Sequence, residues 1–289
     1  MKNFDYFRPD NIKDACSLLS KHKGEAKIIA GGQSLLILMK ERMVSPSYLI
    51  DITGIPNLDH AQYDDKEGLR IGALTTHRQI ETSSLFKERF ELLSEVEKVI
   101  GSIQIRNVGT IGGNLCHADP CGDLAPPLIG LEAKVRLSGT EAERIIPLED
   151  FFTDYFETAI KEDEILTEIL IPPPLPYSGE WYQKCSPRET DTAIVGVAVV
   201  ISLDSPNGAC HKARIVLGGV GQVPLRTKKA EMGLKGNRIN KKLIAEAAKI
   251  AGEEANPISD LSGSEEYKRA MVELLTKQGI ERAFERAKE

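Results

Sequence analysis

Aromatic residues are scarce, at 6% of 289 positions, and there is a single tryptophan. The five cysteines, Cys16, Cys116, Cys121, Cys185 and Cys210, are odd in number and scattered. A secreted disulfide framework needs an even, closely spaced set, so that class is excluded and a reducing, cytoplasmic setting is expected. No apolar run approaches the ~20 residues that span a bilayer, so no transmembrane segment is expected. The stretch from Met1 to Asp10 is polar and aromatic, without the basic-then-apolar pattern of a secretory leader. Positive charge is not in excess, with 37 Lys and Arg against 43 Asp and Glu and a net charge of −6, so a nucleic-acid partner is not expected. Neither a G-x-G-x-x-G fingerprint nor a G-x-x-x-x-G-K-[ST] loop occurs.

What is present is a globular composition, with 41% hydrophobic residues. The length suits one large domain or two to three smaller ones. Asp10 can cap a helix with Ile12, Ala15, Leu18 and Leu19 on one face, stopped at Gly24. Ala26 to Ala30, Tyr48 to Ile52 and Leu69 to Ala73 read as short strands, and Ser34 opens a helical run through Met39. Phe86, Phe90, Leu93, Val96 and Ile100 recur at helical spacing, which predicts a helix from Leu85 to Ile100. Residues 101–123 are glycine-rich and aperiodic, which predicts a long functional loop. Strands are expected at Leu131 to Leu137, Ile165 to Ile171, Ala193 to Leu203 and Ala213 to Leu217. The proline run from Pro172 to Pro176 places a boundary near residue 175. From Asn240 onward the pattern is helical, with Ser262 and Glu265 as a capping box for the last helix.

Two segments carry chemistry. Ala30-Gly31-Gly32-Gln33-Ser34-Leu35 lies between a strand and a helix start. Paired glycines let backbone approach a ligand closely, and N–H groups there favour an anion such as a pyrophosphate. Taken alone, it reads more readily as a tight strand-to-helix turn than as a ligand site. The second segment, Asn107-Val108-Gly109-Thr110-Ile111-Gly112-Gly113-Asn114, again pairs glycines beside small polar groups. Asp119 and Asp123 follow, each able to accept from ribose or ribityl hydroxyls. Two such loops suggest one long ligand, of dinucleotide size, clamped from two sides.

Lys27 to Leu35 (KIIAGGQSL), Ile71 to Thr76 (IGALTT), Gln104 to Asn114 (QIRNVGTIGGN) and His117 to Pro126 (HADPCGDLAP) resemble the FAD-binding medium subunits of the xanthine dehydrogenase and carbon monoxide dehydrogenase family. So do Asp163 to Pro172 (DEILTEILIP), Tyr182 to Arg188 (YQKCSPR) and Leu217 to Arg226 (LGGVGQVPLR). The resemblance runs essentially end to end. It implies an α+β fold: a two-part FAD-binding domain of the vanillyl-alcohol-oxidase type over 1–175, split into 1–55 and 56–175. An α+β C-terminal domain with a three-stranded antiparallel sheet would follow over 176–289.

It further implies FAD as cofactor, with Lys27, Ile28, Ile29, Ala30, Gly31, Gly32, Gln33, Ser34 and Leu35 along the pyrophosphate. Ala73 and Thr75 belong to the same implied site, with Thr110, Gly112, Gly113 and Asn114 on the other side of the cofactor. Ile100 and Gly101 would lie near the flavin ring, Asp119 and Asp123 would take hydroxyls, and Ile165 and Leu166 would pack near the adenine half. Lys184 would reach the cofactor and Tyr182 would stack on or shield the ring. No residue is expected to act as a catalytic acid or base, because the flavin carries the chemistry.

One branch of the family inserts a cysteine-rich loop for an extra iron–sulfur cluster. Cys116 and Cys121 stand without such an insertion, and a cluster needs about four thiolates, so no metal is expected. The implied role is an electron-transfer subunit. A large molybdopterin-binding subunit and a small [2Fe–2S] subunit would be its partners, in a dimer of heterotrimers. A stand-alone FAD oxidoreductase is the alternative, and a non-enzymatic FAD-storage or regulatory protein a weaker one. His22, His60, His77 and His211 are expected on the surface or in loops, and Trp181 either in the core or at an interface.

Overall fold

The structure is a computed structural model that describes residues 2–289. The chain begins with β1 (Asp5–Phe7), α1 (Ile12–Lys21), β2 (Ala26–Ile29), α2 (Leu35–Lys40) and β3 (Tyr48–Asp51). The three strands form a parallel sheet in the order β1-β3-β2. The cap of α1 is Asn11, one residue after the expected Asp10, and its side chain accepts from Asp14 N at 2.9 Å. Ala15, Cys16 and Leu19 on α1 pack with Ile50 and Ile52 into one small core.

Next come β4 (Ala61–Asp64), β5 (Gly68–Gly72), α3 (His77–Thr82), α4 (Ser84–Arg89), α5 (Glu91–Lys98), α6 (Ile103–Val108), α7 (Ile111–His117) and α8 (Ala125–Gly130). They are followed by β6 (Lys134–Ser138), β7 (Glu143–Pro147), β8 (Phe152–Asp154), β9 (Glu157–Thr158) and β10 (Ile165–Ile171). A five-stranded antiparallel sheet, β4-β5-β10-β6-β7, carries these helices. Its central strand buries Glu168, held by Arg70 at 2.9 Å, Arg136 at 3.1 Å and His60 at 3.1 Å. The expected single helix from Leu85 to Ile100 is two, α4 and α5. The break is at Phe90, whose backbone leaves the helical region at φ −141° while its ring is buried against Tyr63.

The largest departure from expectation is at residues 101–123. Where a long loop was expected, the chain forms α6 and α7. Ser102 caps α6 and Thr110 caps α7, each accepting a hydrogen bond from the backbone three residues on. The glycines of α7 lie in its first turn, where backbone packs too closely for larger side chains. High glycine content there reports close backbone approach, not lack of structure.

The chain then runs through 172–177 into β11 (Ser178–Cys185), β12 (Val195–Leu203), β13 (Cys210–Gly218), β14 (Leu225–Arg226), α9 (Lys228–Leu234), α10 (Lys241–Glu254) and α11 (Glu265–Arg286). The antiparallel sheet has four strands, β11-β12-β13-β14, against the three expected; the fourth is a two-residue strand paired with Val216 and Leu217. The α+β class is otherwise as expected. Strand β12 (VGVAVVISL) is apolar almost throughout because both its faces are covered. Val195, Val197, Val199, Ile201 and Leu203 face the helical layer, while Ala198 joins the core of the preceding sheet and helices. The last helix is capped by Ser264, which accepts from Tyr267 N at 3.2 Å, not by Ser262. Trp181 is half-buried beneath Arg286, whose guanidinium lies 5.0 Å from the ring centre.

Candidate cofactor site

The first glycine loop leaves β2 after Ile29 and enters α2 at Leu35. Gly32 takes φ +68°, in the left-handed region that glycine adopts without strain. The Gln33 side chain folds back and donates to Gly31 O at 2.9 Å, which stiffens the turn. The amides of Gly31, Gly32, Gln33 and Ser34 donate to no acceptor within the described chain. Ser34 caps α2 by position but makes no side-chain cap bond, so its hydroxyl is also free of that duty. Successive unspent N–H groups in a tight turn form an anion-binding concavity. All five residues from Gly31 to Leu35 are half-buried, whereas Lys27 is exposed and Ile28 and Ala30 pack against the small core.

The second loop is built the opposite way. Ile111 N donates to Thr75 O at 3.0 Å, Gly112 N to Ala73 O at 2.9 Å, Gly113 N to Thr110 Oγ1 at 3.2 Å and Asn114 N to Thr110 O at 2.9 Å. Ala73 and Thr75 are buried beneath this loop, and Thr75 Oγ1 donates to His60 O at 3.0 Å. Their position is that of a floor, not of a ligand-facing wall. A β-carbon on Gly112 would stand 2.6 Å from Ala73 Cβ, so only glycine fits. The two loops touch: a β-carbon on Gly31 would stand 2.2 Å from Val108 O and 2.8 Å from Gly109 Cα.

Ile100 and Gly101 form a turn between α5 and α6, with Gly101 at φ +52°. Arg106, 6% exposed, donates Nη1 to both Ile100 O (3.2 Å) and Gly101 O (2.7 Å), and its Nε to Glu81 at 2.9 Å. The preceding carbonyl, Val99 O, accepts from Lys184 Nζ at 3.1 Å. Lys184 also donates to Asp123 at 2.7 Å and to Asp191 O at 2.7 Å. Tyr182 OH donates to the other Asp123 oxygen at 2.7 Å. Burial pushes the Asp123 carboxyl up from its ordinary range, against the pull of Lys184; burial and Asp123 push the Tyr182 phenol well up.

These bonds bear on three of the residues the resemblance assigns to the cofactor. All three protons of Lys184 are committed within the chain, each Asp123 oxygen accepts one hydrogen bond and keeps a second acceptor site, and the Tyr182 hydroxyl donates to Asp123. The cluster pins β11 to Val99 and thereby to the Ile100–Gly101 turn. Asp119 accepts from Cys121 N at 2.9 Å, a local turn bond. Ile165 and Leu166 are buried in different cores, Ile165 in the small N-terminal one and Leu166 in that of the larger sheet, so neither presents a face to a ligand.

The histidines divide. His211 is exposed, while His22 and His60 are half-buried. His77 is buried, 3% exposed, and bonds to the fully buried Glu97 at 2.7 Å, against the surface position expected of it. Burial pushes the Glu97 carboxyl up, opposed by His77 and Arg106. Among the described residues no group of three or more His, Cys, Asp or Glu is arranged to hold a metal. Cys116 is exposed and Cys121 half-buried. No helix among the described residues is long and apolar enough to cross a membrane.

Residues 2–174 match the family described as FAD binding domain in molybdopterin dehydrogenase, and residues 180–283 the CO dehydrogenase flavoprotein C-terminal domain. The chain is 36% identical over 287 residues to the 6-hydroxypseudooxynicotine dehydrogenase complex subunit alpha of Paenarthrobacter nicotinovorans, covering 99% of this chain and 96% of that one. It is 34% identical over 286 residues to the carbon monoxide dehydrogenase medium chain of Afipia carboxidovorans, covering 99% and 98%. A chain in the solved structure of carbon monoxide dehydrogenase from Hydrogenophaga pseudoflava superposes with a TM-score of 0.95 at 34% identity, covering 99% and 98%.

Proposed function

This chain belongs to the FAD-binding medium subunits of the molybdenum hydroxylase family, and from that premise we propose that its two glycine loops and the Ile100–Gly101 turn hold FAD for electron transfer. It is an oxidoreductase subunit of a multi-subunit complex. Substrate oxidation takes place on a large molybdopterin-binding partner, and a small [2Fe–2S] partner delivers electrons here for transfer to an external acceptor. The assembly is a dimer of these heterotrimers, in the cytoplasm. The division of the chain at residue 175 is part of the same reading, supported by the largely separate cores on either side. The stand-alone FAD oxidoreductase is not favoured, since relatives matched over the whole chain are named as subunits or chains.

The observation that carries the site is the row of unspent amides from Gly31 to Ser34. Bound FAD supplies the redox chemistry; the chain supplies position and electrostatics. The first loop receives the pyrophosphate through those four N–H groups and Ser34 Oγ. Gly113, exposed, and Asn114, half-buried, lie in the first turn of α7 and are assigned to the other side of the cofactor. Arg106 and Lys184 fix the carbonyls of Val99, Ile100 and Gly101 from behind, so that turn meets the cofactor as a preset surface.

Hydrogen exchange of the cofactor-free chain with and without FAD tests this reading. FAD should slow exchange at Gly31 to Ser34 and leave Gly112 to Asn114, already bonded, nearly unchanged. Unchanged exchange at Gly31 to Ser34 on saturation with FAD would place the pyrophosphate elsewhere.

A further inference from the structure

His77 opens α3 and Glu97 lies near the end of α5; His77 Nδ1 meets Glu97 Oε2 at 2.7 Å, with the side chains 3% and 0% exposed. His77 Nε2 bonds nothing in the described chain, and Glu97 Oε1 is buried without a partner. Two contacts place the pair. His77 N donates to Gly109 O at 3.0 Å, and a β-carbon on Gly109 would stand 3.0 Å from His77 Cδ2. On its other side, the backbone of Val108 and Gly109 touches Gly31. Gly31, Gly109, His77 and Glu97 therefore stand in one column, from the first loop through the entry of the second to α5.

A buried, hydrogen-bonded histidine–carboxyl pair is weak evidence for stability, since apolar groups of the same volume often serve as well. What this one adds is direction. An apolar ring could slide against Gly109, whereas the bond to Glu97 fixes the imidazole edge that faces it. We propose that His77 is a positioning residue for the cofactor: oriented by Glu97, its ring backs Gly109 and sets the separation at which the two glycine loops close on FAD. This rests on the cofactor reading above.

The test measures FAD dissociation constants of the cofactor-free full chain by quenching of flavin fluorescence, alongside thermal unfolding of the same samples. His77→Ala should weaken FAD binding at least about tenfold, the scale on which loss of a supporting contact behind a bound group is felt. Added imidazole, which fills the vacated volume, should restore most of the affinity. Weakened binding that imidazole does not restore would mark a general loss of structure and overturn the proposal, as would His77→Ala binding FAD like the parent. Should His77→Ala fail to fold, Glu97→Gln decides: it keeps the shape but loses the carboxylate that orients the ring. Weaker FAD binding at a nearly unchanged melting temperature supports the role, and unchanged binding overturns it. A parent chain that takes up no FAD would instead remove the cofactor reading itself.

Discussion

The two glycine loops look alike in sequence, each with a Gly-Gly pair beside a hydroxyl residue at a helix start, yet they spend their backbone differently. The first leaves the amides of Gly31 to Ser34 without acceptors, and the second commits those of Ile111 to Asn114 to Thr75, Ala73 and Thr110. Glycine serves a different end in each. At Gly32 it permits a left-handed turn that points amides outward; at Gly112 it lets α7 settle onto Ala73. One loop is built to receive an anion, the other to hold a wall beside it. A Gly-Gly pair thus marks close backbone approach without saying whether the approaching group is a ligand or the protein itself.

The sharpest way to break this contrast is to add one methyl group to each loop. In Gly31→Ala the new carbon would stand 2.2 Å from Val108 O, a backbone atom that cannot swing away. The loops must part, and FAD affinity should fall by about a hundredfold, the scale of a one-ångström misplacement. Flavin-to-protein ratio after gel filtration reads the effect, and a ratio equal to that of the parent would show that the loops do not close on the cofactor together.

Gly112→Ala should act mainly on stability. Its methyl would press on Ala73 at 2.6 Å, and overpacking of this kind costs about 1–3 kcal/mol. Urea unfolding should show that loss, with a smaller drop in FAD affinity than Gly31→Ala gives. A larger affinity loss in Gly112→Ala than in Gly31→Ala would reverse the roles assigned to the two loops.

The same contrast separates what the sequence disclosed from what it hid. Strands β2, β3, β5 and β10 were legible because each is a short apolar run closed by a glycine or proline signal. The first loop was legible because its glycines fall at such a boundary. Helices α6 and α7 were hidden, since propensity counts glycine against a helix and cannot see that Gly112 and Gly113 sit in a capped first turn. Strands β11 and β4 were hidden as well, being mixed in character and half-covered. Lys184 stands out in the Tyr182 to Arg188 segment, but its partners lie elsewhere in sequence at Val99, Asp123 and Asp191. No local pattern reports that its donors are all taken. His77 had a signal that went unused. Glu97 stands four residues after Leu93 and three before Ile100, on the buried face of α5, and a carboxylate at a core position calls for a buried partner.

The finest test of the contrast uses the two hydroxyls. Thr110 Oγ1 accepts from Gly113 N and so caps α7, whereas Ser34 Oγ makes no cap bond to α2. Removing a working cap costs about 1 kcal/mol, because an amide that had a partner loses it. Thr110→Ala should therefore lower stability toward urea by about that amount with FAD affinity changed little. Ser34→Ala removes nothing the empty fold relies on, so its unfolding curve should overlay that of the parent. If the hydroxyl is kept for the cofactor, the loss appears only when FAD is present, as a several-fold weaker dissociation constant, matching the ~1 kcal/mol of a net hydrogen bond. Each substitution deletes a hydroxyl at a helix cap, Thr110→Ala a methyl group besides, and opposite readouts are expected on stability and on FAD affinity. They would follow from where each hydroxyl's bond already goes. Equal effects of both on stability and on FAD affinity would mean that the loops share one role, and the division between receiving loop and supporting wall would fall.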